Sequence, residues 1–444
     1  MPTQSSTALE PADPWFAAPP VFDTELEFPD WYQALQQKSW ESYKAIPEPA
    51  RKHQDWRFAD LKKVRFSELQ AANPIDDTEA LVQRAKEERT EHFAAHFVFA
   101  NNRLIHSEIN ELPEGAICLP INQAIVEHGD LVKEHFMKEE GSLGGAKFSA
   151  LHGAATLSGL FVYFPKNAIC DQPILVHHFA SGDFNCIFPH TLVVAEDNAS
   201  VSVVDTFESE RDNEQSFVFG NVDLVANNGA NVQYVALQDE SDHGPKHVQL
   251  NSSRVGRDAK IKAAFVNLGA TWLRQESISR MMEQGSDIQI FSANLANGIQ
   301  EYDQRTLQSH EAQHTTSNLL FKNALYDQSR TIFAGLIDVK PGSHHTDSYQ
   351  TCRNLLGSDQ AEANALPGLE IDADQVKCSH GSTSGQISDE EIFYLQARGI
   401  PAESARQIIS LGFLNESISK LAGEEVRDYL FERVARKFKS LLSA

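Results

Sequence analysis

The sequence predicts a mainly β protein, a β-solenoid core between a helical N-terminal region and a helical C-terminal domain. Three observations carry this. Residues 96–386 alternate short runs of Val, Ile, Phe and Tyr with Asn, Asp and Gly turns, the pattern of many short strands. The turns in that stretch recur at a nearly constant spacing. Both flanks carry the period and the cap signals of helices.

Residues 1–95 form the first region. Its start, "MPTQSSTALEPADPWFAAPP", is acidic and rich in Pro and Ala where a signal peptide would be basic and then apolar, and it reads as disordered. Asp30 caps a helix through "WYQALQQKSWESYKAI", which Pro47-Glu48-Pro49 stops. "DDTEALVQRAKEERTEHFAAHF" is a second helix candidate with a charged and an apolar face. The amphipathic stretch between them, "HQDWRFADLKKV", offers Trp56 and Phe58 to pack one domain on the next.

Within residues 96–386, "DNASVSVV", "NGANVQYV", "RDAKIKAA" and "QGSDIQIF" each give a turn, a small residue and then alternating apolar positions. The small residues are Ala199, Ala230, Ala259 and Ser286, and the series continues through Ala312, Ser343 and Ala373, with successive differences of 31, 29, 27, 26, 31 and 30. A helix-free repeat of this length fits a solenoid coil, which buries its faces by stacking on its neighbours. A β-sandwich with regular hairpins is the competing arrangement. In a solenoid, equivalent positions of consecutive coils lie about 4.8 Å apart. His314 and His345, each two residues after its small residue, then become neighbours, and Cys352, Cys378 and His380 fall in the same or the next coil.

Residues 387–444 form the C-terminal helical domain. Ser388 and Glu391 have the spacing of a capping box before "EIFYLQAR", Gly399 supplies the left-handed residue that ends this helix, and Pro401 opens the next. In the last helix Val426, Leu430, Val434 and Phe438 or Leu441 form one apolar stripe, with acids at its start and bases at its end. Such a bundle suits the docking of a partner.

The 38 basic and 62 acidic residues give a net charge of −24, which opposes binding to nucleic acid or an anionic membrane. No apolar run reaches the roughly 20 residues of a membrane span. The chain reads as soluble and cytoplasmic. Its cysteines, Cys118, Cys170, Cys186, Cys352 and Cys378, are odd in number and scattered, as expected of reduced thiols. There is no P-loop, dinucleotide fingerprint or H-E-x-x-H motif.

The chemistry-bearing stretch is "VKCSHGSTSGQ". Cys378 and His380 are two residues apart on a strand and therefore share a face, presenting the thiol and imidazole that iron and zinc prefer. Two ligands are too few for a closed site, so the rest must come from His344, His345 and Cys352 or from a partner subunit. A buried cysteine beside a hydrogen-bonded histidine is the plainer reading, and a Cys-His hydrolytic dyad a third. His177 and His178 are adjacent and face opposite sides of a strand. The acidic pair Glu301 and Asp303 admits a solenoid polysaccharide hydrolase or lyase.

These residues carry a family likeness. Cys378-Ser379-His380-Gly381, Thr346-Asp347, Asn354-Leu355-Leu356, Pro367, Leu369-Glu370-Ile371, Asp374, Phe393-Tyr394-Leu395 and Arg398-Gly399-Ile400 resemble the SufB/SufD family of iron–sulfur cluster assembly proteins. "DWRF" at Asp55 to Phe58 is similar to that family's N-terminal element, and the Cys378 to Gly381 motif resembles the SufD branch. The resemblance is strongest over residues 300–415. It implies a right-handed parallel β-helix and a non-catalytic scaffold in the SufBCD complex. It implies a heterodimer with SufB through the β-helix edge, and the ABC-type ATPase SufC docked on the C-terminal helices through Phe393, Tyr394, Arg398 and Gly399. It places His380 at the SufB interface as a ligand of a nascent iron–sulfur cluster completed by a SufB cysteine, with no cofactor held tightly by the isolated chain. Whether Cys378 is a ligand or structural, and whether the chain forms a homodimer without SufB, stay open. A subunit that only bridges SufB to SufC, without binding metal, is the alternative. The chain departs from the family at His344-His345, Leu366 and Asp374-Gln375, and none of these touches the Cys378 to Gly381 motif.

Overall fold

A computed structural model of the chain describes residues 15–20, 26–64, 66 and 69–441; of the start expected to be disordered, residues 1–14 lie outside these, while Trp15 and Phe16 are buried in the apolar cluster with Trp56 and Phe148. Two facing sheets form the core. One stacks Ser158–Phe164, Pro189–Ala195, Phe217–Ala226, Lys246–Val255, Trp272–Met281, Glu301–His310, Arg330–Val339 and Glu362–Ile371. The other stacks Ile174–Ala180, Ser200–Ser209, Asn231–Asp239, Lys260–Asn267, Asp287–Ala296, Thr316–Leu325, Asp347–Leu356 and Lys377–Gln386. The chain passes from one sheet to the other and back, and each coil pairs in parallel with the one before it. The predicted β-solenoid is therefore the fold, and the sandwich is not.

Both faces of most strands are covered. All ten residues of Phe217–Ala226 are buried, for example, which is why the period-2 alternation in the sequence is muted. The inner faces meet in an apolar core that includes Val203, Val222, Ala263, Ile290, Leu319 and Phe333. Outside the first sheet lie Trp56, Phe148 and Leu151 against Phe217, Phe219 and Trp272. Outside the second sheet, Leu414, Leu430, Val434 and Phe438 of the C-terminal helices cover Val235, Val266 and Leu295. The stripe expected in the last helix, Glu424–Leu441, is thus the seam that holds it to the solenoid. At roughly 1.5–3 kcal/mol for each fully buried side chain, that seam outweighs any intrinsic preference of the helix.

The corners explain the turn signals. Asn198, Gly229, Asp258, Gly285, His314, His345 and Gln375 all have positive φ, from 55° to 77°, and form one column at successive corners. Asn, Asp and Gly adopt this conformation most readily, so the recurring turns mark coil corners.

The repeat register needs one correction. Ser200, Asn231, Lys260, Asp287, Thr316, Asp347 and Lys377 are paired in register. The residues following Ser286 in the small-residue column are therefore Thr315, Thr346 and Val376, each three positions beyond Ala312, Ser343 and Ala373. Threonine replaces alanine there because its hydroxyl bonds at the corner: Thr315 Oγ1 lies 2.8 Å from His310 Nδ1 and 3.4 Å from Thr346 Oγ1. Because Ala312 and Ser343 were displaced equally, His314 and His345 do meet, with rings stacked at 4.7 Å and 18°.

Other local expectations also shift. The second N-terminal helix spans only Thr78–Glu87, and Ala95–Ala100 is a strand, because Phe97 and Phe99 enter the solenoid core. Three helices, Ile121–Glu127, Gly129–His135 and Ala146–Ala155, lie within the stretch expected to hold strands alone. The first helix starts at Asp30 itself, with no side-chain cap. Ser388 accepts from the Glu390 amide at 3.2 Å, one residue earlier than a capping box requires. Pro401 is the cap of Ala402–Ile418, just outside the helix. Trp56 packs as expected, stacked 6.4 Å from Trp272.

Candidate functional site at the last coil

The stack ends at Glu362–Ile371 and Lys377–Gln386, the edge strands of the two sheets. In the preceding strand Ser348, Gln350, Cys352 and Asn354 are buried, facing inward. Their register partners are Cys378, His380, Ser382 and Ser384, so these four continue the inner columns into the last coil. No coil covers them. Cys378 is half-buried, and His380, Ser382 and Ser384 are exposed.

A hydrogen-bonded ladder runs up to this end. Asn267 Nδ2 donates to Asn294 Oδ1 at 2.7 Å, Asn294 to Asn323 at 2.5 Å and Asn323 to Asn354 at 2.6 Å. Asn354 Nδ2 then donates to Ser384 Oγ at 3.0 Å and to the Thr383 carbonyl at 3.3 Å, pinning the strand that carries His380. Sequence reasoning missed this column. Its signal was the spacing of 27, 29 and 31 residues between four asparagines, within the repeat already identified.

Gln350 lies directly beneath His380. Its Nε2 donates to the Gly335 carbonyl at 3.3 Å, while its Oε1 is buried without a hydrogen-bond partner. Glycine at position 335 makes room for this amide, since a Cβ there would lie 2.4 Å from Gln350 Oε1.

The remaining candidates separate. Cys352 is sealed in the core, 1 % exposed, with Asn323 and Asn354 each at 3.7 Å from its sulfur. Burial pushes its thiol up to about 12. The Cys378 thiol is also raised, by burial first and then by the Asp347 carboxylate. His345 sits in a corner, exposed and stacked on His314, not on the strand face that carries His380. Among the described residues, no group of three potential metal ligands forms at this end.

Phe393 and Tyr394, on the helix Asp389–Gln396 that leaves the last strand, are 70 % and 57 % exposed. The Arg398 guanidinium lies 3.5 Å over the Tyr394 ring, and Gly399, at φ 84°, ends the segment as expected. His177 and His178 face opposite ways: His178 stacks inward between Phe99 and Phe207, and His177 faces out toward Glu208 at 3.8 Å. Glu301 and Asp303 do not form a catalytic pair. Both are fully buried; Asp303 is held by Arg274 and Arg305, and Glu301 accepts from the Asp60 amide and pairs with Arg330. The arginines fix these carboxylates as structural, which removes the basis for a solenoid hydrolase.

Comparison with known proteins gives a consistent result. The family model described as SUF system FeS cluster assembly, SufBD core domain, matches residues 178–413, and that of the SufBD protein N-terminal region matches residues 26–176. The chain is 27 % identical to the iron–sulfur cluster assembly protein SufD of Bacillus subtilis, covering 94 % of this chain and 96 % of that protein. It is 26 % identical to a SufBD family protein of Synechocystis, over 84 % of each chain. It is 25 % identical to a chloroplastic SufBD family protein of Arabidopsis thaliana, over 90 % of this chain and 75 % of that one.

Proposed function

The chain belongs to the SufBD family of SUF-system iron–sulfur cluster assembly proteins, and on that premise we propose that it is a non-catalytic scaffold subunit of a SufBCD complex in the cytoplasm. One observation carries this reading: the inner columns of the solenoid break off at an uncovered coil, leaving His380 exposed on an edge strand. A parallel edge offers unpaired backbone groups to a second polypeptide, and the strand of a SufB subunit aligned there would face the His380 column. His380 is then a ligand of the nascent cluster, which is cargo and not a resident group, and a SufB cysteine completes the coordination. Imidazole and thiolate together suit iron, and one chain supplies too few ligands alone. Gln350 Oε1, one strand beneath and without a partner in the chain, would be the acceptor for the second N–H of a metal-bound imidazole.

ATP hydrolysis belongs to SufC, which docks on the C-terminal helices through the exposed Phe393 and Tyr394, with Arg398 and Gly399 shaping that surface. Aromatic anchors beside an arginine are the composition of interface hot spots. Among the described residues no helix is long and apolar enough to cross a membrane.

The test is anaerobic reconstitution of the assembled complex, followed by its sulfide-to-iron absorbance. His380→Ala should retain SufB and SufC and lose the cluster bands. Full bands in that variant would leave the chain as a bridge that binds no metal. Truncation after Ile387 should abolish SufC capture, and stoichiometric capture by the truncated chain would refute the docking assignment.

A further inference from the structure

The far end of the ten-stranded sheet holds a side-chain cluster that the last coil does not use. Strands Ala95–Ala100 and Arg103–Ile109 form an antiparallel hairpin with His96 opposite Glu108 and Val98 opposite His106. Opposed residues share a face, and so do residues two apart, so His96, His106 and Glu108 project from one side of the hairpin. One nitrogen from each ring and one carboxylate oxygen all lie within 4.8 Å of one another.

Arg89 stands at their meeting point. Its Nη1 is 2.9 Å from His96 Nδ1 and 3.0 Å from Glu108 Oε2, and His106 Nε2 is 3.7 Å from that same oxygen. A guanidinium only donates, so His96 Nδ1 accepts, and its lone pair points at the cation. Glu108 alone would balance the single charge of Arg89. The two imidazoles are in excess of that need, and His106 Nε2 is buried without a hydrogen-bond partner. Two imidazoles and a carboxylate are the protein donor set of an open zinc site, with a water as fourth ligand.

We propose that His96 Nδ1, His106 Nε2 and Glu108 Oε2 form a binding site for a divalent cation of the zinc class, which replaces the Arg89 guanidinium when that side chain withdraws. The Arg89 side chain is 18 % exposed, so one side of it reaches solvent, and withdrawing it breaks its contact with the Phe93 ring at 4.1 Å as well as the two hydrogen bonds. Bonds to zinc are about 2.0–2.2 Å long, so the ligands must close inward by roughly 1 Å. Eight inter-strand steps of about 4.8 Å separate the nearer strand of the hairpin from Lys377–Gln386, roughly 38 Å, so this site is independent of the cluster edge.

Cobalt(II) added to the full-length chain tests the proposal through its tetrahedral absorption bands, with zinc as competitor. Arg89→Gln and Arg89→Ala should each bind one equivalent at least tenfold more tightly than the parent and release it to zinc. Adding His106→Ala or Glu108→Gln should remove that equivalent, and zinc should raise the melting temperature of Arg89→Gln but not of Arg89→Gln/His106→Ala. Unchanged affinity on removing Arg89, or retention of the equivalent in either double variant, would overturn the proposal.

Discussion

Asn294, in a middle coil, accepts from one asparagine and donates to another, and its side chain is sealed from solvent. Ser384, three coils further along the same column, accepts from Asn354 and has no coil above it. The two positions share one repeat and differ only in whether the repeat continues. In the middle coils each asparagine of the column finds its partners within the chain, and those coils supply stability. At the last coil the same inward columns are left uncovered, with an exposed imidazole and a half-buried thiol, and that coil is the place for a second polypeptide. A stacked fold thus separates its structural and its interactive parts without changing its architecture.

The widest contrast comes from the ion pairs of the middle coils. Arg274 is fully buried, bonded to Glu276 at 2.8 Å, Asp303 at 2.5 Å and the carbonyls of Asp55 and Leu143, with its guanidinium 4.0 Å over Trp56. Arg274→Met should destabilise the chain by about 3–5 kcal/mol in urea unfolding, because the buried Glu276 loses its counter-charge and Asp303 loses one of its two arginines. Next in size is the ladder: Asn323→Ala should cost about 1–3 kcal/mol by stranding the Asn294 amide and the Asn354 carbonyl.

Acid should weaken the middle coils through His310, buried against Thr315 Oγ1 and Ser317 Oγ at 2.8 and 3.0 Å, whose pKa burial pushes down to about 3. The unfolded histidine binds its proton near pH 6.5 and the folded one only near 3, so this contribution is complete above about 6.5 and is lost as pH falls toward 3. The slope is up to about 1.4 kcal/mol per pH unit, and His310→Asn should flatten the dependence of the urea midpoint between pH 6 and 4. An unchanged pH profile in that variant would remove His310 from the account. The smallest effect belongs to the last coil, where His380→Ala should shift stability by no more than about 0.5 kcal/mol. A loss comparable to that of Asn323→Ala would erase the distinction between the two regions.

Much of this contrast was legible in the sequence. Turn residues at left-handed corners and small residues after them gave the coil, and the shared face of Cys378 and His380 follows from their spacing alone. The register slips after Ser286 because the column passes from small residues to Thr315 and Thr346, whose hydroxyls bond to one another. The strand at Ala95–Ala100 was hidden because the charged helical run before it continues without a stop signal, and burial of Phe97 and Phe99 overrides local propensity. Nor does sequence show that Cys352 is enclosed and Cys378 is not. Both lie on inward positions of adjacent coils, and only the end of the stack separates them.

Iron and acid-labile sulfide content of the complex purified without oxygen, wild type against His380→Ala, tests the central claim most directly. The account predicts the same subunit stoichiometry in both, with iron and sulfide present in the wild type and lost from the variant. Equal iron and sulfide in the two preparations would contradict it.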